Sequence, residues 1–362
     1  MDRSNYQALG AQIDATCSRL SATNNSQPSA AINNWYLITD ANVAHALRPL
    51  IESSQFLSHA PGFIVTPGEA NKTLSTATAI WEWLSASGAT RHSGIINLGG
   101  GMITDLGGFT AACFKRGIPF VNIPTTLLGA VDASVGGKTG VNLNTLKNEV
   151  GAFARPADVV ISSLPLSTLP HRELLSGYAE MVKTGLIASR ELWLDMLPPH
   201  QVLEDSPLLT AIMQRCVDFK REVTDEDARE HDRRRILNFG HTAGHAFESL
   251  SYRRNQPLSH GEAVALGMIT ALVLSNLKLQ MPTDTLHTYI NSVYKACFKP
   301  PVFGCKDYPE LLELMAHDKK NTRHDSFSFV LLREPGVPVC GCETTADDVR
   351  TALDVTRDLI GI

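Results

Sequence analysis

The sequence has few of the features that mark a protein for a membrane, an oxidising compartment or a nucleic acid. Its longest stretch without a charge runs from Ala263 to Leu277. That is short of the ~20 apolar residues that cross a bilayer, and it reads as a buried core helix. The N-terminus, MDRSNYQALGAQID, has no apolar signal-peptide core. The seven cysteines are odd in number and scattered, and the only close pair is Cys340 and Cys342. Such usage argues against a disulfide framework and for reduced cytosolic thiols that fill core, hence a cytoplasmic protein. Charged residues make up 19% of the chain and net charge is −5, with one dense basic run at Arg233–Arg235. Neither a nucleic-acid partner nor a membrane is expected from that balance. The 362 residues are enough for two domains and a large core.

Several familiar fingerprints are also missing. There is no G-x-G-x-x-G, and the GKT of PTTLLGAVDASVGGKTGVN (Pro124–Asn142) is no Walker A, because Asp132 stands where that motif needs glycine. ATP-type phosphate transfer is excluded on that ground. His241 and His245 differ by four, but the Glu of an H-E-x-x-H protease is absent.

What is present is a run of apolar strands in the first half. WYLITD (Trp35–Asp40), GFIVTPGE (Gly62–Glu69), GIINLGGG (Gly94–Gly101), FVNIPTT (Phe120–Thr126) and ADVVISS (Ala157–Ser163) alternate with helical patterns such as Thr73–Ala86. That alternation predicts a parallel α/β sheet. Residues 11–34, rich in Ser, Asn and Ala, read as an irregular lead-in. After Pro170 the strands stop and helical patterns follow: His171–Leu186, Pro207–Asp225, Arg234–Leu250, Glu262–Leu277, Thr283–Ala296 and Tyr308–Lys319. The fold class predicted is α/β, a Rossmann-like parallel-sheet domain over residues 1–168 followed by an all-helical domain over 169–362.

Three clusters carry candidate chemistry. NLGGGMITDLGGF (Asn97–Phe109) follows a strand and precedes a helix. Glycines there either let backbone N–H groups approach a pyrophosphate or simply make a tight turn. Asp40 and Asn42 after the first strand, and Glu69 and Lys72 after the second, suit a ribose or adenine edge. In the second cluster Lys138, Lys147 and Asn148 are either anion ligands or solvated loop residues. The third runs from Arg233 to Ala263 and holds three of the twelve histidines. Arg234, Asn238, His241, His245 and Glu248 step by four, three, four and three, one face of a helix. Because Ile236, Leu237 and Phe239 make neighbouring faces apolar, that polar stripe needs partners unless it is solvated.

Taken in order, GGGMITDLGGF, RGIPFVNIPTTLLGAVDASVGGKTGVN, LKNEVGAF, LPHRELLSGYAEMVK, RILNFGHTAGHAFE, HGEAVALGM and DKK resemble the 3-dehydroquinate synthase family of sugar-phosphate cyclases. The resemblance runs from about Asp40 to Leu332. It implies one divalent metal, Zn²⁺ or Co²⁺, held by Glu180, His241 and His260, a sound donor set for a catalytic site. It implies NAD⁺, reduced and regenerated each turnover, with contacts from Asp40, Asn42, Glu69, Lys72, Gly100, Gly101, Asp105, Thr125, Thr126, Lys138, Lys147, Thr168 and Leu169. The implied substrate is 3-deoxy-D-arabino-heptulosonate 7-phosphate, converted to 3-dehydroquinate and phosphate on the shikimate route to aromatic amino acids. Its phosphate would meet Lys138, Asn148, Asn238, His245 and one DKK lysine, Lys319 or Lys320. Arg116 would enter from a neighbouring subunit, which implies a homodimer. The substrate carboxylate would meet Lys220 and Arg234, with Lys183, Glu230 and Asp132 completing the site. The segment with YRRNQP, between the GHT and HGE motifs, is somewhat longer than the family's usual. The competing readings are a sister cyclase acting on sedoheptulose 7-phosphate or glucose 6-phosphate, a metal-dependent polyol dehydrogenase, and a non-catalytic NAD-binding protein.

Overall fold

The computed structural model describes residues 3–22, 32–144, 146–316 and 326–362. These form two compact units, Met1–Pro170 and His171–Ile362. In the first, β1 (Asn34–Asp40), β2 (Gly62–Val65), β3 (Ser93–Gly99), β4 (Phe120–Pro124) and β7 (Asp158–Val159) make a five-stranded sheet in the order β2-β1-β3-β4-β7. Every pairing in it is parallel. The central strands are buried on both faces, as helix-covered parallel strands are. Tyr36, Ile38 and Ile95 point into one core, with Ile80, Leu84, Ile103 and Leu106 from the helices Leu74–Ala86 and Gly101–Cys113. Trp35, Leu37, Ile96 and Leu98 alternate onto the opposite core.

That second core corrects the first part of the reading of residues 11–34 as an irregular lead-in; residues 23–31 lie outside the described residues. Arg3–Ser21 is a helix, and Tyr6, Leu9, Ile13 and Cys17 bury one stripe of it. Four apolar residues at helical spacing suffice to dock it, and the abundance of Ser, Asn and Ala around them hid the period. The GKT region, to which no strand was assigned, is the second difference. Lys138–Leu143 (β5) and Leu146–Phe153 (β6) form an antiparallel hairpin that opposes Lys138 to Phe153. Of the last strand expected, Ala157–Ser163, only Asp158–Val159 pairs.

The second unit is built on His260–Leu279, with Gly261 and every residue from Ala263 to Ser275 buried. By length and composition this helix could cross a membrane, but 72% of its apolar window is buried inside the protein. The helices His171–Ala188, His241–Arg253 and Ala346–Ile360 pack around it. The expectation that strands end after Pro170 fails once. Ser326–Leu332 (β8) and Pro338–Thr345 (β9) pair antiparallel, turning at Pro335-Gly336 with Gly336 at φ 90°. Phe327 and Phe329 are buried between half-buried serines, and Val330, Leu331 and Leu332 are all buried, so β8 becomes a short apolar run with no sustained period-2 signal. The helix expected over Arg234–Leu250 is two elements: a 3₁₀ turn, Arg233–Asn238, and an α-helix, His241–Arg253. They are separated at Gly240, whose φ of 76° no helix accommodates.

Candidate metal centre and active site

Three helices of the second unit meet at unusually small residues. A Cβ on Gly261 would lie 2.2 Å from the Ser176 carbonyl oxygen, so His260–Leu279 and His171–Ala188 touch backbone to backbone there. The Ser176 hydroxyl accepts the Gly261 N–H at 3.0 Å. On the other side, a Cβ on Gly267 would lie 2.1 Å from the Gly240 carbonyl oxygen and 2.5 Å from the Gly244 nitrogen. The glycines of HGEAVALGM and GHTAGH are therefore contact points between helices. Their close approach brings one polar residue from each helix to a common point.

Those residues are Glu180, His241 and His260, each offering a ligand atom within 4.8 Å of the others. His260 Nε2 lies 3.3 Å and His241 Nε2 3.5 Å from Glu180 Oε1. Lys183 Nζ stands 2.5 Å from Oε2, close enough for an ion pair. Both carboxylate oxygens are buried, yet neither has a partner in hydrogen-bonding geometry. Burial alone would raise the Glu180 carboxyl; the Lys183 ammonium, joined by the facing His260 ring, overcomes that and holds it well below the usual carboxylate range.

The two imidazoles are held differently. His241 Nδ1 lies 3.1 Å from the Phe239 carbonyl oxygen, to which Nδ1–H donates, leaving the Nε2 lone pair toward Glu180. Burial and the nearby Lys183 charge keep this ring neutral, the form that binds a metal. Burial lowers His260 too, but the Glu180 and Glu248 carboxylates raise it further, to about 10. Its proton is the one a cation would displace. A buried carboxylate without hydrogen bonds and two converging Nε2 atoms fit a divalent metal with open positions. His245 stands beside them, with ring centroids 5.2 Å from His241 and 6.0 Å from His260.

Sequence reasoning passed over Glu248 as a site residue, although it lay on the polar stripe. Its Oε2 is 3.6 Å from His260 Nδ1. It also missed Asp227, whose carboxylate accepts the N–H groups of Asp232, His231 and Arg234 at 2.7, 3.0 and 3.1 Å. Those bonds, Asp232 first, hold Asp227 at about 2 and shape the turn that delivers Arg234. Arg234 is buried, and its Nη1 donates to the Ala228 carbonyl at 2.8 Å. Asn238 Nδ2 donates to Glu230 Oε1 at 2.6 Å, with Glu230 itself at φ 62°. Lys220 is buried on the helix Ser206–Glu226. Lys319 and Lys320 lie outside the described residues.

In the first unit the polar candidates gather at the carboxyl ends of the strands. Lys72 is buried between two carboxylates, 3.0 Å from Asp105 Oδ2 and 3.1 Å from Glu69 Oε1. Asn142, another residue passed over, donates to Glu69 Oε1 at 3.0 Å and accepts the Asn148 N–H at 2.9 Å. Burial pushes Asp105 up to about 6, because the one cation is shared with Glu69 and only partly offsets it. Lys72 rises despite its burial, since both carboxylates face it. Gly100 caps the helix Gly101–Cys113 without a side-chain bond, and a Cβ there would come 2.8 Å from Thr126 Cγ2. The Thr125 N–H reaches the Gly99 carbonyl at 3.0 Å, so Gly100, Gly101, Thr125 and Thr126 form one crowded corner. Asp40 accepts the N–H groups of Asn42 and Val43, capping the helix Ala41–Ala46. Asp132 sits on the π-turn Gly129–Ala133, Lys138 and Lys147 on the hairpin, and Thr168 and Leu169 at the end of the 3₁₀ turn Leu164–Thr168. Arg116, at φ 71°, belongs to the turn after Gly101–Cys113.

The two halves of the chain match models of one family, 3-dehydroquinate synthase N-terminal over residues 62–176 and C-terminal over 177–321. A curated 3-dehydroquinate synthase from Parabacteroides distasonis is 42% identical over 337 residues, covering 92% of this chain and 94% of its own. The chain belongs to the 3-dehydroquinate synthase family. The wider kinship is structural. A 2-deoxy-scyllo-inosose synthase complexed with carbaglucose-6-phosphate, NAD⁺ and Co²⁺ superposes with a TM-score of 0.78, at 29% identity and 94% coverage of both chains. A 2-epi-5-epi-valiolone synthase from Streptomyces hygroscopicus with NAD⁺ and Zn²⁺ bound also gives 0.78, at 26% identity, covering 94% of this chain and 95% of its own. This member of the 3-dehydroquinate synthase family thus shares its α/β-plus-helical architecture with other cyclases.

Proposed function

We propose that the chain converts 3-deoxy-D-arabino-heptulosonate 7-phosphate to 3-dehydroquinate and phosphate, with NAD⁺ and one divalent metal, Zn²⁺ or Co²⁺. The observation that carries this is the Glu180, His241 and His260 cluster, its first two members buried, in a chain 42% identical to a curated synthase of that name. When bound, the metal would polarise a substrate hydroxyl and the nicotinamide would accept and return a hydride.

The chain's own residues bind, orient and exclude water. Glu180 and the Nε2 atoms of His241 and His260 are the proposed ligands. Lys183 holds the Glu180 carboxylate in its ionised form before the cation arrives. Arg234 and Lys220, both buried cations, suit the substrate carboxylate, and charge-assisted bonds in a dry site are the strong kind. Asn238, His245, Lys138 and Asn148 are assigned to the substrate phosphate. Glu230 keeps the Asn238 amide turned by its 2.6 Å hydrogen bond. In the first unit Glu69, Lys72 and Asp105, with Asp40, Asn42, Gly100, Gly101, Thr125, Thr126, Lys147, Thr168 and Leu169, are the proposed dinucleotide contacts. Residues 1–168 are proposed as the NAD⁺-binding domain, with Lys138 and Asn148 also meeting the substrate phosphate, and residues 169–362 as the metal- and substrate-binding domain. A cytoplasmic homodimer, with Arg116 donated across the interface, completes the proposal.

The test is phosphate release from the heptulosonate substrate, with and without NAD⁺. Release that requires NAD⁺ yet leaves no net NADH supports the reading. Stoichiometric NADH accumulation would identify a dehydrogenase instead, and a preference for sedoheptulose 7-phosphate would identify a sister cyclase.

A further inference from the structure

His260 has carboxylates on both ring edges, and only one of them belongs to the proposed ligand set. Nε2 lies 3.3 Å from Glu180 Oε1, while Nδ1 lies 3.6 Å from Glu248 Oε2. Glu248 is buried on His241–Arg253, the helix that also supplies His241. Seven residues separate His241 from Glu248, two helical turns, so both side chains leave the same face of that helix. One helix therefore presents a ligand and, two turns on, a carboxylate that faces the back of the other histidine. His260 itself is the first residue of its helix, with a side chain 29% exposed.

We propose that Glu248 is a positioning residue for the metal site. Its carboxylate takes the Nδ1–H of His260, fixes the tautomer with the lone pair on Nε2, and strengthens that nitrogen as a donor. The two histidines then differ by design: His241 is backed by the neutral Phe239 carbonyl and His260 by a charged carboxylate. In this role Glu248 acts on the chemistry only through His260. The inference rests on the metal reading above, and its experiment separates the two.

The measurement is the dissociation constant for Zn²⁺ by competition with a chromophoric chelator, made on Glu248→Gln, Glu248→Ala, His260→Ala and Glu180→Ala. The visible spectrum of each Co²⁺-loaded protein and the melting temperature of each metal-free protein are recorded alongside. Removing an outer carboxylate partner should weaken metal binding about 10–100-fold. Glu248→Ala is expected to show that loss, and Glu248→Gln a smaller one, because an amide oxygen still accepts the Nδ1–H without its charge. The Co²⁺ spectrum should shift in both, while the metal-free melting temperature of the isosteric Gln variant stays near wild type. Wild-type affinity and spectrum in the Gln and Ala variants, with loss in His260→Ala and Glu180→Ala, would overturn the role of Glu248 and leave the metal site standing. A loss confined to Glu248→Ala and matched by a fall in metal-free melting temperature would overturn it too, as packing. Full affinity in His260→Ala and Glu180→Ala would remove the metal site itself.

Discussion

Gly261→Ala should disable the metal centre without touching a ligand. The new methyl would stand 2.2 Å from the Ser176 carbonyl oxygen and 2.3 Å from Ser176 Cα, both backbone atoms that no rotamer change can clear. Ordinary carbon contacts begin near ~3.5 Å, so His260–Leu279 and His171–Ala188 must separate by about 1 Å. His260 lies one residue from the methyl, and Glu180 one helical turn from Ser176, so the separation falls directly on the 3.3 Å His260–Glu180 approach. Metal–ligand distances tolerate about 0.2 Å. The displacement is several times that, and metal affinity should fall at least tenfold, roughly the least that losing an outer partner costs. Overpacking of this kind also costs about 1–3 kcal/mol of stability, or about 2–4 °C of melting temperature per kcal/mol for a unit this size. Gly304→Ala is the control, because a Cβ there meets nothing within 4 Å. Chelator competition and thermal melts on both variants make the test. Wild-type metal affinity in Gly261→Ala, with a melting temperature matching Gly304→Ala, would refute the claim that this glycine sets the ligand geometry.

Lys183→Met should destabilise the metal-free protein by about 3–5 kcal/mol, since it strands a buried carboxylate. The loss should shrink when Zn²⁺ is added, and equal losses in urea titrations with and without metal would contradict that. Asp105 gives a pH dependence with a definite sign. Its folded value is raised to about 6, so its contribution is fully present below the unfolded value of 3.8 and is lost as pH rises through about 6. The wild type should therefore lose up to about 3 kcal/mol relative to Asp105→Asn across that window, read from denaturant midpoints. Arg234→Ala should lower kcat/KM for the heptulosonate by about 30-fold or more, from the 2–5 kcal/mol of a broken charge pair. Sedoheptulose 7-phosphate, which has no carboxylate to lose, should suffer much less; equal losses would mean that Arg234 does not read the carboxylate.

The parallel sheet was legible because its strands are apolar on both faces and bounded by Gly, Pro, Asn and Asp, a signal that single residues carry. The missed elements had weaker local signals. The N-terminal helix shows only Tyr6, Leu9, Ile13 and Cys17 against a polar background, and β8 follows a long series of helices that set the wrong expectation. The hairpin of β5 and β6 drew no strand assignment because most of β6 is exposed and charged residues interrupt it. Motif resemblance pointed to the ligand triad, and the structure places its three members within reach of one another. The interlocking of Asn142 with Glu69, and of Asp227 with three N–H groups, is tertiary or turn geometry. No spacing rule announces either.

The helix that was expected over Arg234–Leu250 and is not there carries a functional meaning. In a continuous helix the Phe239 carbonyl would accept the Ala243 N–H, four residues on. Here the helical ladder opens one residue later, with the Gly244 N–H on the Gly240 carbonyl. The Phe239 oxygen is left outside the ladder, 3.1 Å from His241 Nδ1. The break that spoils the period thus supplies the acceptor that fixes the His241 tautomer. Gly240 makes it possible twice over: its φ of 76° reverses the chain, and a Cβ there would lie 2.6 Å from Met268 Cγ on the helix that carries His260. The same residue therefore ends one element, orients one ligand and admits the helix of the other. The glycine preceding the first histidine of the segment is as much a part of the metal centre as the histidine is.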